Sequence, residues 1–344
     1  MSTLLNTLYI TTPDAYLRLD GETVVVENEK DKRLQVPLHH LGGLVVFGAT
    51  GISPSLMMRC AEDGRSVVFC DRNGRFKARL EGEQGGNVLL RQAQYEAQRD
   101  VGMSLALARA FVAGKVRNTR TLLLRGGRDS KTPEEAEQLK HAAELLAHIL
   151  QKLPQAPDHD TARGLEGDAA RIYFEHFTLL IKPSQREVFR LDTRNRRPPR
   201  DPINALLSFC YALLMTEVRS GLESVGLDPQ FGFLHALRPG RAALALDVME
   251  EFRSVLADRL TLTLVNREQL GKSDFDFRPG DTVLLNDKGR KTVLVAWQER
   301  KKETLAHPLL EQEVTLGLLP QLQARLLART LRGDLPSYPP FLMR

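Results

Sequence analysis

Residues Gly226–Arg253 read GLDPQFGFLHALRPGRAALALDVMEEFR, and the rest of the chain is interpreted around this stretch. His235 lies in a turn rich in glycine and proline, and a helix is predicted to begin at about Leu244. Asp247 and Glu250 are three residues apart, so this helix would present both carboxylates on one face. Acids on an amphipathic helix usually face solvent, but these follow an arginine-bearing turn and a histidine. Because imidazole and carboxylate are common ligands of divalent cations, the stretch predicts a metal site.

The composition is typical of a soluble globular protein. The chain has 344 residues, of which 42% are hydrophobic and 26% charged, enough for two domains of ordinary size. The excess of five basic over acidic residues permits nucleic-acid binding without requiring it. Cys60, Cys70 and Cys210 form no CxxC pair, the N-terminus does not resemble a signal peptide, and no run of about 18 apolar residues occurs. We therefore expect a cytoplasmic protein with no membrane contact.

Two kinds of periodicity divide the chain. Short alternating segments bounded by Gly, Pro and Asp-Gly turns predict β-strands within residues 1–80, with one helix starting at Pro54. A polar, Gly-rich linker follows at 81–88, and helical periodicity dominates residues 89–344. The prediction is an α+β fold, with a small N-terminal β-sheet domain and a larger, mainly α-helical catalytic domain. Within the latter, helices are expected at 89–112, 115–124, 133–153, 162–180, 202–221 and 307–331, with a β-hairpin at 282–297 and a loose C-terminal tail.

A further candidate acid, Glu166, lies in an earlier helix. The small residues Gly167, Ala169 and Ala170 give this helix a thin flank, so another element can approach closely. Tyr173 follows Glu166 by seven residues and returns to the same face. A single exposed glutamate is the commoner interpretation of such a residue, and Asp168, which points elsewhere on the helix, is not expected to take part.

Arginine clusters are the third signal. One lies between Arg190 and Arg200, and a second follows His235. A charge run is usually a solvated face, but a Pro-containing arginine loop between two helices is also suited to clamp phosphates. No Walker loop, GxSxG elbow, GxGxxG fingerprint or zinc-type cysteine spacing is present. DNA contacts are therefore predicted for Arg190, Arg194, Arg196, Arg197, Arg238 and Arg241.

Four sequence blocks, taken together and in this order, resemble the universal CRISPR-associated adaptation integrase family. They are EGDAARIY at Glu166–Tyr173, NALLSFCY at Asn204–Tyr211, the turn Gly226–His235 and the helix Leu244–Arg253. The phrases TTPDAYLRLDGE, VPLHHLGGLVVFG and GNVLLRQAQYEA resemble the subtype I-C branch. The resemblance covers essentially the whole chain. Ser254 stands where related sequences often have proline, a departure that touches no candidate ligand.

The resemblance implies an activity and a set of site residues. Glu166, His235 and Glu250 would bind one Mg²⁺ or Mn²⁺ per subunit, and Asp247 would assist catalysis without binding the metal directly. Tyr173, Asn204 and Tyr211, which belong to the same blocks, would support the site. The activity implied is that of a metal-dependent DNA endonuclease and integrase, in which the 3′-hydroxyl of spacer DNA attacks a phosphodiester of the CRISPR repeat. The chemistry is consistent, because a cation removes the repulsion between two nearby carboxylates.

The resemblance also implies partners. They are double-stranded DNA, a second copy of the chain joined largely through the β domain, and a small ferredoxin-like CRISPR adaptation protein that bridges two such dimers. The β domain would serve as the dimerisation and DNA platform. Two alternatives stay open: a stand-alone metal-dependent nuclease for branched DNA, which would use the same residues, and a non-catalytic DNA-binding scaffold in which the arginine loop binds DNA and the acids are only solvated.

Overall fold

The computed structural model describes residues 6–28, 34–82, 88–195 and 198–343. It confirms the predicted α+β class, with a sheet-rich N-terminal part followed by a mainly helical part. The strands are β1 Thr7–Ile10, β2 Tyr16–Asp20, β3 Thr23–Glu27, β4 Leu34–Pro37, β5 Gly43–Phe47, β6 Gly51–Ile52, β7 Ser66–Cys70, β8 Phe76–Leu80, β9 Phe275–Arg278, β10 Thr282–Leu285, β11 Thr304–Ala306 and β12 Glu313–Thr315. The helices are α1 Pro54–Glu62, α2 Val88–Arg99, α3 Val101–Asp129, α4 Pro133–Lys152, α5 His159–His176, α6 Pro202–Val225, α7 Ala243–Met249, α8 Arg259–Asn266, α9 Asp287–Lys302 and α10 Leu319–Leu331.

The N-terminal part contains two four-stranded sheets. One has the order β1-β5-β7-β8, in which the first three strands are parallel and β8 returns antiparallel to β7. The other has the order β4-β3-β2-β6 and is antiparallel except for the β2–β6 pair. Helix α1 starts as its sequence predicts, because the Ser53 side chain accepts a hydrogen bond from the Leu56 N–H and Pro54 occupies the first turn.

Strand β5 is buried on both faces, and this attaches the sheet to the helices. Leu44 and Val46 belong to a core shared with the second sheet and α1, whereas Val45 and Phe47 belong to the large helical core. The Phe47 ring stacks on that of Phe209 in α6, with centroids 6.1 Å apart. A continuous apolar run such as LVVF is typical of an inner parallel strand covered on both sides. The sheet is therefore packed directly against the helical part.

The helical part is organised around two long helices that the site uses. Helix α3 is 29 residues long and packs along α4 and α5. It begins after Asp100, whose side chain accepts a hydrogen bond from the Met103 N–H. This cap separates α2 from α3, where the sequence pattern predicted one helix over 89–112 and another over 115–124. Helix α6 lies in the core, and its first half carries Asn204 and Tyr211, which are both buried.

The predicted hairpin at 282–297 is wrong. The hairpin that forms pairs β9 with β10, one strand earlier, and Asp287 begins α9. The physical reason is a cap: the Asn286 side chain accepts a hydrogen bond from the Gly289 N–H at 3.0 Å, so Asp287-Lys288-Gly289 is the first turn of a helix.

The predictions for the C-terminus are also wrong. The helix expected at 307–331 starts only at Leu319, because β11 and β12 pair across residues 304–315. The tail is packed rather than loose: Tyr338, Phe341 and Met343 are buried against the helical core. Its prolines interrupt secondary structure without preventing burial.

Helix α6 is, in the described part of the chain, the one helix whose length and apolarity would allow it to cross a membrane. Most of its apolar window, 61%, is buried inside the protein, as is usual for a core helix. The length and apolarity of α6 are therefore only weak evidence for a membrane span.

Candidate active site

The turn before α7 is folded around Asp247. This carboxylate is fully buried, and it accepts hydrogen bonds from the backbone N–H groups of Phe233 at 2.6 Å, Leu234 at 3.0 Å and His235 at 2.9 Å. A Cβ on Gly232 would lie 2.6 Å from Asp247 Oδ2, so glycine permits the close approach. The sequence therefore places the histidine-bearing turn directly on the helix that carries the acids.

Asp247 also orients the imidazole of His235. Asp247 Oδ1 lies 2.7 Å from His235 Nδ1, which leaves Nε2 facing Glu250, 3.9 Å from its Oε1. A carboxylate on one ring nitrogen is the usual way in which a metal-binding histidine is oriented. Asp247 has thus used its acceptor capacity on the turn and on the imidazole, whereas Glu250 faces the site.

Glu250 and Glu166 meet at a lysine that the sequence analysis did not single out. Lys115 of α3 forms ion pairs with Glu166 Oε1 and with Glu250 Oε2, the latter at 2.7 Å. Arg253 Nη2 lies 2.9 Å from Glu250 Oε1. The structure therefore brings Glu166, His235 and Glu250 together from three separate chain segments. Asp168, by contrast, is exposed and faces Arg171.

The electrostatics of this cluster are dominated by buried charges. Burial alone would raise the pKa of the Glu250 carboxyl, but Arg253, Lys115 and His235 together hold it below its ordinary value. Burial would lower the pKa of Lys115, yet Glu250 and Glu166 keep it above its ordinary value. The Glu250 carboxyl is thus ionised at neutral pH, and it depends on the neighbouring cations for compensation.

The donor set fits a divalent cation. Two carboxylates and a neutral imidazole are ligands that suit Mn²⁺ and, through the oxygens, Mg²⁺. Glu250 Oε2 is buried and accepts no hydrogen bond of normal geometry. In the described ranges, no group of three or more His, Cys, Asp or Glu side chains is already arranged around a metal position. The ammonium of Lys115 lies between the two carboxylates.

The supporting residues form a second layer behind the cluster. Asp258 is buried, and it accepts hydrogen bonds from Tyr173 OH at 2.9 Å and Tyr211 OH at 2.7 Å. The guanidinium groups of Arg253 and Arg194 form cation–π contacts with the Tyr211 ring, at 4.7 Å and 5.4 Å from its centroid. Burial raises the pKa of Asp258 to about 6, against the opposing effect of both tyrosines and both arginines. Tyr211 therefore supports the arginine that pairs with Glu250, and Tyr173 donates to the same Asp258 carboxylate as Tyr211 does.

Asn204 holds the start of the arginine loop on α6. Its Oδ1 accepts hydrogen bonds from Arg194 Nη1 at 2.6 Å and from the Asn195 N–H at 3.0 Å, and its Nδ2 donates to the Thr193 carbonyl at 2.8 Å. Of the three predicted supporting residues, Asn204 contacts Arg194, Tyr211 contacts both Arg194 and Arg253, and Tyr173 contacts Asp258.

The remaining predicted DNA contacts are scattered. Arg190 is exposed and pairs with Asp192 at 2.6 Å, whereas Arg194 is partly buried. Arg238 is exposed and Arg241 half-buried in the turn between His235 and α7. Arg196 and Arg197 lie outside the described residues. Whether these arginines contact DNA stays a prediction.

Two functional candidates were missed. Lys115 lies in the run FVAGKVRN, where it reads as an ordinary helical lysine. The available signal was that its neighbours one turn away, Phe111 and Thr119, are not charged, so its face of α3 is buried. Arg253 ends the Leu244–Arg253 block, and no role was predicted for it. Its three-residue distance from Glu250 was the signal that the two side chains could pair.

Comparison with known proteins identifies the family. Residues 8–299 match the family described as CRISPR associated protein Cas1. The chain belongs to the Cas1 family. The CRISPR-associated endonuclease Cas1 1 of Moorella thermoacetica is 53% identical over 344 residues, covering all of both chains, and the Cas1 2 of Rhodospirillum rubrum is 52% identical over 351 residues, again covering all of both chains. This confirms the recognition of a CRISPR adaptation endonuclease and integrase; membership in the subtype I-C branch stays a prediction.

Solved Cas1 structures share the fold. A Cas1 protein from Thermotoga maritima superposes with a TM-score of 0.82 at 25% identity, covering 95% of this chain and 97% of the other. A partial Cas6-RT-Cas1–Cas2 complex superposes with a TM-score of 0.66 at 25% identity, covering 98% of each chain. A casposase bound to its integration product has the same fold, with a TM-score of 0.82 at 20% identity, covering 97% of this chain and 93% of that one. Cas1 endonucleases are generally metal-dependent, which agrees with the donor set found here.

Proposed function

We propose that Glu166, His235 and Glu250 hold one Mg²⁺ or Mn²⁺ per subunit and that this centre catalyses DNA integration. The observation that carries the proposal is the convergence of the three side chains, from α5, the 226–242 turn and the end of α7, on one largely buried cluster around the Lys115 ammonium. The bound cation would polarise the attacked phosphate and lower the pKa of the attacking 3′-hydroxyl.

The protein's own residues prepare this chemistry. Asp247 keeps the His235 imidazole in one orientation, so Nε2 is available for coordination. The guanidinium of Arg253 pairs with Glu250 and lies over the Tyr211 ring, and a guanidinium is suited to pair with two oxygens of a phosphate. One phosphodiester replaces another in strand transfer, so no energy-rich cofactor is required.

The partners follow from the same proposal. We infer that double-stranded DNA approaches along the arginines of the 190–200 loop and of the His235 turn. A second copy of the chain and a small ferredoxin-like adaptation protein are proposed as protein partners. A solved Cas6-RT-Cas1–Cas2 complex includes a chain with this fold, which supports a further protein partner of the chain. A cytoplasmic location is proposed with them.

Strand transfer tests the proposal directly. Labelled double-stranded oligonucleotides, a supercoiled plasmid with a repeat array and the purified small partner would be incubated with Mg²⁺, Mn²⁺ or EDTA. We expect metal-dependent joining at the repeat by the wild type, and its loss in Glu166→Gln, His235→Ala and Glu250→Gln. Asp168→Asn, an exposed acid on the same helix as Glu166, is the matched control and should join normally.

The outcomes discriminate the alternatives. Cleavage without joining would favour a stand-alone nuclease. DNA binding with no metal-dependent product, equally in the wild type and in the three variants, would favour a non-catalytic scaffold.

A further inference from the structure

A single lysine occupies the centre of the acidic cluster. The Lys115 side chain is 14% exposed and rises from the middle of α3, and its ammonium contacts one carboxylate on α5 and another at the end of α7. A lysine is seldom buried unless it is paired, and this one is paired twice. Its ammonium therefore lies where two acidic side chains from separate elements converge.

We propose that Lys115 is an internal counter-ion that takes the place of the divalent cation while none is bound and withdraws when the cation binds. The inference rests on the proposed metal site. A lysine ammonium is a compact point charge on a flexible stem, so it can lie between two facing carboxylates as a small metal ion does, while Arg253 supplies a second positive charge at Glu250. Arg253 occupies the other oxygen of Glu250 and leaves Oε2 to Lys115.

The structure also provides a place to which the ammonium can withdraw. Lys115 lines a cavity of about 30 Å³ whose wall also includes Tyr173, Tyr211, Arg253 and Asp258. A space of this size holds roughly one water-sized group, which matches an ammonium. Asp258 accepts one hydrogen bond on each oxygen, so each retains acceptor capacity for a second donor. After withdrawal, the Lys115 ammonium would contact Asp258 instead of Glu166 and Glu250.

Competition follows from this exchange. Every metal-binding event must displace Lys115 from both acids, so removing its charge should tighten metal binding. It should also destabilise the metal-free protein, in which Glu166 and Glu250 would lose their shared cation. A lysine that merely braces the ligands makes the opposite prediction, because its loss would scatter them and weaken metal binding.

The experiment is a calorimetric titration of Mn²⁺ into the purified full-length chain without DNA. Lys115→Met keeps the length of the side chain and removes its charge. Lys301→Met is the matched control, because Lys301 is also a buried lysine in an ion pair, with Glu217 at 2.6 Å, but it lies outside the acidic cluster. Glu166→Gln identifies the heat that belongs to the proposed site.

We expect Lys115→Met to bind Mn²⁺ at least tenfold more tightly than the wild type, and Lys301→Met to bind it as the wild type does. Thermal denaturation should show a lower melting temperature of metal-free Lys115→Met and a larger rise on adding Mn²⁺. Asp258→Asn, which removes the anionic destination, should bind Mn²⁺ more weakly.

An unchanged or weaker affinity of Lys115→Met, with the heat still lost in Glu166→Gln, overturns the counter-ion and leaves the metal site intact. If Lys115→Met does not fold, Lys115→Gln and the Asp258→Asn titration decide: wild-type affinity in both overturns the proposal. Heat that persists unchanged in Glu166→Gln overturns the proposed site, and the counter-ion with it.

Discussion

Replacing Asn118 by alanine should release the C-terminal tail and loosen the acidic cluster. Asn118 lies on α3, three residues after Lys115, and is fully buried. Its Nδ2 donates to the carbonyls of Glu251 and Phe341, both at 2.8 Å, and its Oδ1 accepts from the Met343 N–H at 2.7 Å. One side chain therefore joins the helix that carries Lys115, the residue after Glu250 and the tail.

The size of the effect follows from these three bonds. Each buried hydrogen bond contributes about 1 kcal/mol, and a buried backbone group left without a partner costs about 1–3 kcal/mol more. Loss of all three with no relaxation would cost roughly 6–12 kcal/mol on these figures. The tail can instead detach, which returns its carbonyls to water but exposes the side chains of Phe341 and Met343, each worth about 1.5–3 kcal/mol when buried. We expect the cheaper route, a loss of about 3–6 kcal/mol with a detached tail.

Hydrogen–deuterium exchange of the 335–343 segment and urea denaturation would measure both parts. Asn266→Ala is the control: Asn266 also bonds two backbone groups, the Lys182 N–H and the Leu180 carbonyl, both at 2.9 Å, but it does not touch the tail. Tail exchange should accelerate only in Asn118→Ala. A stability loss below about 1 kcal/mol, with tail amides as protected as in the wild type, would refute the reasoning.

Three further predictions concern the site and its surroundings. Asp247→Asn should weaken Mn²⁺ binding about 10- to 100-fold in a calorimetric titration, because an amide cannot accept all the bonds that orient His235; unchanged affinity would contradict its positioning role. Burial raises the pKa of Glu251 to about 8 despite donors from Phe341, Tyr338 and Gln323. Because this folded-state pKa lies above the unfolded value, stability should fall as pH rises from 5 to 8. Glu251→Gln should remove that part of the dependence of melting temperature on pH. The same dependence in wild type and variant would contradict the raised pKa of Glu251. Arg238→Ala and Arg241→Ala should each reduce by about one the slope of DNA affinity against salt, and an unchanged slope would exclude a phosphate contact.

The sequence predicted the fold class and the first strands because their determinants are local. Alternating apolar residues, Asp-Gly turns and the Ser53-Pro54 cap act within a few positions of each other. The failures occurred where a distant partner decides. Nothing within residues 335–343 indicates that Glu251 accepts hydrogen bonds from Tyr338 OH and the Phe341 N–H, so a Pro-rich tail read as loose.

The same distinction applies to the site. Three-residue spacing places Asp247 and Glu250 on one face, but it does not predict which of the two carboxylates accepts hydrogen bonds from the protein's own backbone. That depends on where the turn before α7 folds, and it folds so that three N–H groups meet Asp247. Lys115 could be found only by placing α3 against α5 and α7, a tertiary arrangement that no local pattern encodes.

The chain between α7 and α8 departs from regular α-helical geometry, and this departure lets the segment Glu250–Asp258 contact several other elements. It passes through a 3₁₀ turn at Glu250–Phe252 and a π-helical turn at Arg253–Asp258 before α8 begins. In a regular α-helix, residues five apart point about 140° away from each other. In a π-helix, whose hydrogen bonds join residues five apart, they lie close to one face. Arg253 and Asp258 are five residues apart, and both contact Tyr211. Arg253 lies over the ring, and Asp258 accepts a hydrogen bond from the hydroxyl. The wider turn is therefore what allows Arg253 to pair with Glu250 while Asp258 fixes the tyrosine beneath it. An α-helical pitch at this point would turn one of the two residues away, and Arg253 would lose either its support or its place beside the acids.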